Sequence, residues 1–151
     1  MSRTFDQVDP VRRRIMAAVR CRDTKPEMEV RRLLHSMNYR YRLHGKDLPG
    51  RPDIVFTKRK KAIFVHGCFW HRHEGCAKAT FPKTRTEFWH EKFARNVERD
   101  RQAECALADM GWRSFTIWEC ETRDQEQLGV VLREFLDSDI TAIVPPTRST
   151  P

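Results

Sequence analysis

No stretch of this 151-residue chain is apolar for long enough to cross a membrane, and its polar start, MSRTFDQVDPVRRR, has no apolar signal core. There is no internal repeat and no low-complexity block. The five cysteines are odd in number, so they cannot all pair. Without a secretory signal they are expected to be reduced thiols in a cytoplasmic protein. Acidic residues are also short: Asp and Glu number 21 against 29 Lys and Arg, a formal charge of +8. The excess is rich in arginine (Arg12, Arg13, Arg14, Arg31, Arg32, Arg99, Arg101), whose forked donors suit phosphate. A polyanionic partner follows, with nucleic acid ahead of an anionic membrane surface.

What is present fits one α/β domain over residues 10–140, between a flexible N-terminal arm (1–9) and an irregular C-terminal tail (141–151). PVRRRIMAAVR reads as a short basic helix opened by Pro10. TKPEMEVRRLLHSM reads as a second. Thr24 and Glu27 form a capping box, Pro26 lies in the first turn, and Val30, Leu33, Leu34 and Met37 make a stripe. YRYRL (39–43) alternates as a half-buried strand. DIVF and AIFV, joined by the basic TKRKK, predict a hairpin. A long loop, 66–85, follows. The segment 86–110 predicts a long helix with Phe93, Val97, Leu107 and Met110 inward and Gly111 as its stop. WRSFTIWEC alternates as a strand whose Trp112, Phe115 and Trp118 pack in the core. DQEQLGVVLREFLDS supplies a last helix through Leu128, Val131, Phe135 and Leu136. This order implies a mixed sheet between helices.

The loop opens with HGCFWHRHEGC (66–76), which holds three histidines, two cysteines and adjacent aromatics. Thiolate and imidazole in a set of four suit zinc. Two selections are open: Cys68, His71, His73 and Cys76 within the loop, or Cys68, His73 and Cys76 with the distant Cys120 at the end of FTIWEC. The second ties the loop to a separate strand and frees His71. A structural zinc contributes roughly 10–16 kcal/mol of apparent binding energy in small peptides, enough to order such a loop. Cys21 and Cys105 have no ligand-forming neighbours and read as ordinary thiols.

GRPDIVF places Asp53 at the start of one strand, and AIFVHG ends the neighbouring one at His66. Asp53 and the Val65 backbone carbonyl form a hard-oxygen set suited to magnesium. A neutral histidine beside it could accept a proton from an attacking water, and a second, if cationic, could face a phosphate. His35, His44 and His90 carry no such signal. Phe69 and Trp70 lie between candidate metal ligands, and Trp89 lies early in the long helix. Such rings can wedge into a base step, most easily at a defective base pair.

LPGRPDIVF, FVHGCFWHRH, TRTEFWHEKFARNVERDR and GWRSFTIWEC, with IMAAVRCRDTKPE before them, closely resemble the very-short-patch-repair (Vsr) mismatch endonucleases across residues 10–121. The resemblance implies a restriction-endonuclease-like α/β fold with a structural zinc site. It also implies magnesium-dependent nicking of duplex DNA 5′ to the T of a T:G mismatch left by deaminated 5-methylcytosine. By position, Asp53 is similar to the family's metal-binding aspartate, His71 to its general base, His66 to its second active-site histidine and Glu27 to its supporting acid. Cys68, His73, Cys76 and Cys120 match its zinc set, and Phe69, Trp70 and Trp89 its intercalating rings. Val65 stands where some members carry threonine, and one extra residue precedes Cys76. The implied partners are mismatched double-stranded DNA and other mismatch-repair proteins, with the enzyme a monomer, cytoplasmic and nucleoid-associated when bound. A zinc-stabilised mismatch-binding protein without cleavage, and a restriction-type nuclease cutting paired DNA, are the competing readings.

Overall fold

The computed structural model describes residues 23–138. The expected arm, the basic helix begun by Pro10, Cys21 and the tail lie outside the described residues. Within them the order is helix α1 (Lys25–Ser36), strands β1 (Arg42–Leu43), β2 (Ile54–Phe56) and β3 (Lys61–His66), helix α2 (Thr86–Asp109), strand β4 (Arg113–Trp118), a 3₁₀ turn Glu119–Arg123 and helix α3 (Gln125–Asp137). No helix among the described residues is long and apolar enough to cross a membrane.

The strands form one sheet in the order β1-β2-β3-β4. The first three run antiparallel, through the expected hairpin, and β3 pairs with β4 in parallel across the α2 crossover. Alternation along each strand gives the sheet two different faces. Ile54, Phe56, Ile63, Phe115 and Ile117 point one way and pack with Val30 and Leu34 of α1 and with Leu128, Leu132, Phe135 and Leu136 of α3. Lys61 lies on this face too. It is buried, and its Nζ donates to the carbonyls of Phe135, Leu136 and Ser138, 2.6–2.9 Å away. The last lysine of the "basic turn" therefore satisfies carbonyls that the end of α3 leaves open. The opposite face carries Ala62, Phe64 and His66, then Thr116 and Trp118, toward α2.

Helix α1 starts as its sequence requires. Thr24 Oγ1 accepts the Glu27 N–H, but the Glu27 carboxylate returns to the Asp23 N–H at 3.1 Å, one residue earlier than in a standard capping box. Glu27 is buried, so it is more than a cap. The expected strand 39–43 shrinks to two paired residues, because β2 is itself only three residues long. Tyr39 and Tyr41 keep the inward side of the alternation by packing edge-on against Phe56.

The inward stripe of α2 differs from the expected one. Val97 and Met110 are 45% and 51% exposed, while Trp89, Phe93, Ala103 and Leu107 are buried. Continuing that spacing brings Asn96 and Asp100 inward, where apolarity alone would not place them. The helix ends at Gly111, whose φ of +80° fits a left-handed stop. Gly50 is held more tightly. It has φ +72°, and a Cβ there would lie 2.5 Å from the Ala103 Cβ, so the loop before Asp53 is seated directly on α2.

Candidate active site and metal centre

The parallel register of β3 and β4 builds both centres. His66 is paired with Trp118, so the two strands end side by side. Cys68 and Cys120 each lie two residues beyond that pair. Cys120 is in the 3₁₀ turn, not at the end of the strand as expected, because β4 stops at Trp118.

Cys68, His73, Cys76 and Cys120 bring one ligand atom each to within 4.8 Å of the others. The His73 Nδ1 lies 3.7 Å from Cys68 Sγ and 3.4 Å from Cys120 Sγ. A tetrahedral ion bonded to sulfur at about 2.3 Å and to nitrogen at about 2.0–2.1 Å would set these separations at about 3.6 Å. The donors thus fit a metal ion of zinc's kind. The imidazole of His73 lies flat against Trp118, with ring centroids 4.4 Å apart and planes 11° apart. Trp118, expected in the core, instead orients this ligand. Burial pushes the Cys68 thiol up to about 12 and raises Cys120 as well, whereas the Lys78 backbone N–H lowers that of Cys76. Without a cation the cluster therefore disfavours the thiolate at two of its three sulfurs.

The second centre lies on the α2 side. Asp53 Oδ2 accepts the Val65 N–H at 2.7 Å. In an extended strand the N–H and carbonyl of one residue face the same neighbour, so the Val65 carbonyl is directed toward the same region. Burial is the main cause that raises the Asp53 carboxyl to about 7, and the neighbouring Glu27 carboxylate adds to it. The Val65 hydrogen bond and His71 act in the opposite direction. Two acids thus face each other, although the second is already engaged: Arg31 donates to Glu27 Oε2 at 3.1 Å and to Asp23 at 2.7 Å. A buried carboxylate, the Val65 carbonyl and a second acid close by are oxygen donors of the kind a divalent cation takes.

His71 joins this centre and not the cysteine cluster. Its Nδ1 is 2.6 Å from Oδ2 of Asp100, on α2. His66 stacks on it, with centroids 3.8 Å apart and planes 8° apart. His66, His71 and Asp100 are close enough to share an ion, but the geometry opposes it. Imidazole lone pairs lie in the ring plane, so an ion bound to two stacked rings would sit well out of both planes. A hydrogen-bonded His–Asp pair beneath a second ring describes the arrangement better. Burial, then the nearby His71, lowers His66 to about 3. This environment favours the neutral form of His66, so the condition set for a phosphate-facing cation is not met there. A small cavity of about 60 Å³ lies beside the pair, lined by Phe64, His66, Arg99, Asp100 and Glu104 among others. Asp100 escaped the sequence reading. Its signal was an acid in the buried heptad-like stripe Trp89, Phe93, Asn96, Asp100, Ala103, Leu107.

The aromatic residues form one cluster. Phe69 meets Trp70, Trp89 and Phe93 at centroid distances of 5.1, 5.9 and 5.3 Å. Phe69 and Trp70 are half-buried, while Trp89 is buried under them. Phe88, which the sequence reading did not select, is 40% exposed beside Trp89. Lys92 lies within 5.3–5.9 Å of the Trp70, Phe88 and Trp89 rings. Asn96 Nδ2 donates to the Trp70 carbonyl, and Arg85, Arg95 and Arg99 are exposed along the same helix.

The chain is similar to known proteins in both sequence and fold. The family model described as DNA mismatch endonuclease Vsr matches residues 5–78. The Type II nicking enzyme V.XorIIP of Xanthomonas oryzae pv. oryzae is 51% identical over 133 residues, 87% of this chain and 97% of that one. The DNA mismatch endonuclease Vsr of Escherichia coli K12 is 45% identical over 113 residues, 75% of this chain and 72% of its own length. The catalytic domain of the homing endonuclease I-Bth0305I superposes with a TM-score of 0.53 at 22% identity, over 75% of this chain and 94% of its own. That likeness shows a shared fold, the restriction-endonuclease-like mixed sheet flanked by helices.

Proposed function

We propose, from the premise that this chain belongs to the DNA mismatch endonuclease Vsr family, that it nicks one strand of duplex DNA 5′ to the T of a T:G mismatch. The observation that carries this reading is the His71–Asp100 pair at 2.6 Å beside the Asp53 carboxylate, itself held at 2.7 Å on the Val65 N–H. A protein that only bound mismatches would have no use for a buried acid and an oriented imidazole at one point.

Asp53 and the Val65 carbonyl would hold magnesium, with Glu27 supporting Asp53 from the side. When bound, that ion polarises the phosphate and offsets charge developing on hydrolysis. The residues supply the rest. His71, with Nδ1 engaged by Asp100, presents Nε2 to water and takes its proton as the oxygen attacks phosphorus, while the P–O bond to the leaving strand breaks and its oxygen, leaving with the electron pair, takes a proton from solvent. Asp100 then stabilises the imidazolium. His66 stacks on His71 and fixes its plane. Cys68, His73, Cys76 and Cys120 would hold a structural zinc ion that pins the loop to the turn after β4. Phe69 and Trp70, backed by Trp89, would enter the base step at the mismatch, where unstacking costs least. Exposed arginines on α2 would hold the backbone phosphates, so binding should weaken steeply with salt. Such an enzyme acts as a monomer on chromosomal DNA in the cytoplasm, alongside other mismatch-repair proteins.

The test is nicking of labelled T:G and T:A duplexes with magnesium, by wild type and Asp53→Ala. Wild-type cutting of T:G alone, with a mutant that binds and does not cut, supports the proposal. Binding without cutting by both proteins points to a mismatch sensor. Equal cutting of the paired duplex points to a restriction-type nuclease.

A further inference from the structure

Arg72 stands between the proposed general base and a proposed zinc ligand, yet faces neither centre. Its backbone is left-handed, with φ +56°, an uncommon conformation for a residue with a side chain. That turn sends the guanidinium back beneath the aromatic cluster. NH1 donates to the Thr80 carbonyl at 2.9 Å and to the Phe69 carbonyl at 3.4 Å, and NH2 donates to the Ala79 carbonyl at 2.9 Å. Its carbon sits 4.2 Å from the centre of the Phe93 ring, with Phe81 and Phe69 at 5.6 and 5.9 Å. One planar cation thus joins three things: the first half of the loop at Phe69, its second half at Ala79 and Thr80, and α2 at Phe93.

We propose that Arg72 is the positioning residue of the aromatic wedge. It spends its charge on backbone carbonyls and ring faces inside the protein, and so holds Phe69 and Trp70 at a fixed height over α2. This rests on the reading that these rings enter the DNA, and it adds the group that fixes how they do so. The geometry needs a guanidinium. Bonding two adjacent carbonyls through separate nitrogens, with its carbon 4.2 Å from the centre of the Phe93 ring, is a task for a planar fork, and a single ammonium cannot do both. The proposal also separates Arg72 from the exposed arginines of α2, such as Arg95 and Arg99.

The experiment compares wild type, Arg72→Ala and Arg72→Lys, all zinc-replete, on T:G and T:A duplexes carrying 2-aminopurine next to the mismatch position. Four readouts are taken: KM and kcat for nicking, the fluorescence rise on unstacking, the slope of log binding constant against log salt, and bound zinc. Expected for both variants are a KM for the T:G duplex raised about 10-fold, kcat within about 3-fold of wild type, a reduced fluorescence rise and undiminished zinc. The salt slope should be unchanged, because no phosphate contact is lost. The proposal is overturned if Arg72→Lys behaves as wild type. It is also overturned if the slope falls by about one in Arg72→Ala, the signature of a phosphate contact, or if zinc is lost. If the wild type itself gives no fluorescence rise at the mismatch, the wedge reading fails first, and the variants are not needed to show it.

Discussion

The two faces of the sheet are made by the same strands and do opposite work. In β3, Lys61, Ile63 and Val65 point toward α1 and α3, while Ala62, Phe64 and His66 point toward α2. The first face is sealed by aliphatic and aromatic side chains, and the buried Lys61 ammonium on it donates to the carbonyls ending α3. The second gathers Asp53, the stacked histidines and Asp100, with a small cavity beside His66 and Asp100. A period of two lets a six-residue strand supply both stability and chemistry, provided that its register never slips by one residue.

If that division holds, damage at the cysteine cluster, damage at the site face and damage at the core face should have separable consequences. The largest effect is expected where the strand ends are pinned. Cys120→Ser should release one equivalent of metal and lower the melting temperature by about 10 °C or more, read by metal analysis and calorimetry. Unchanged metal and melting would remove Cys120 from the ligand set. Next, His71→Ala should lower nicking about 10²–10⁴-fold with little change in the denaturation midpoint, and Asp100→Asn should follow it in the same direction. A large loss of stability in either would blur the two faces.

On the opposite face, Leu132→Ala should cost about 2–5 kcal/mol in urea unfolding. Its nicking rate per folded molecule should match wild type; a specific catalytic defect would show that the core face reaches the site. The smallest effect is a pH signature. The folded-state Asp53 carboxyl is raised from 3.8 to about 7, so the metal-free protein gains stability from its protonated form. That contribution is complete below about pH 3.8 and disappears as pH rises through about 7. His66, lowered from 6.5 to about 3, acts the other way: its contribution is present above 6.5 and is lost as pH falls toward 3. The stability of Asp53→Asn relative to wild type should therefore rise between pH 4 and 7 and stay level above, in metal-free denaturant titrations. A flat difference would mean that Asp53 is not held against its ionisation.

The sequence was most readable where periodicity and function agree. The stripe of α1, the hairpin and the long loop follow from apolar spacing and turn residues. Helix α2 shows the limit. Val97 looked inward because it is apolar and four residues from Phe93, but the true stripe runs through Asn96 and Asp100, polar because they hold the Trp70 carbonyl and His71. Trp118 was misread for the same reason: strand alternation gives a side, not a purpose. The residues left two ligand sets open, the resemblance favoured the one with the distant Cys120, and the paired ends of β3 and β4 supply its physical cause. Nothing local in the sequence tells that Trp89 is buried, since its burial depends on where Phe69 and Trp70 come to rest.

Gly50 carries one more consequence. The chain leading to Asp53 lies so close on α2 that a single added methyl group would collide with Ala103, one helical turn from Asp100. Asp53 and Asp100 are therefore keyed to one another through a bare backbone contact. Any displacement of α2 would carry both acids with it, so that the proposed reacting groups keep their alignment.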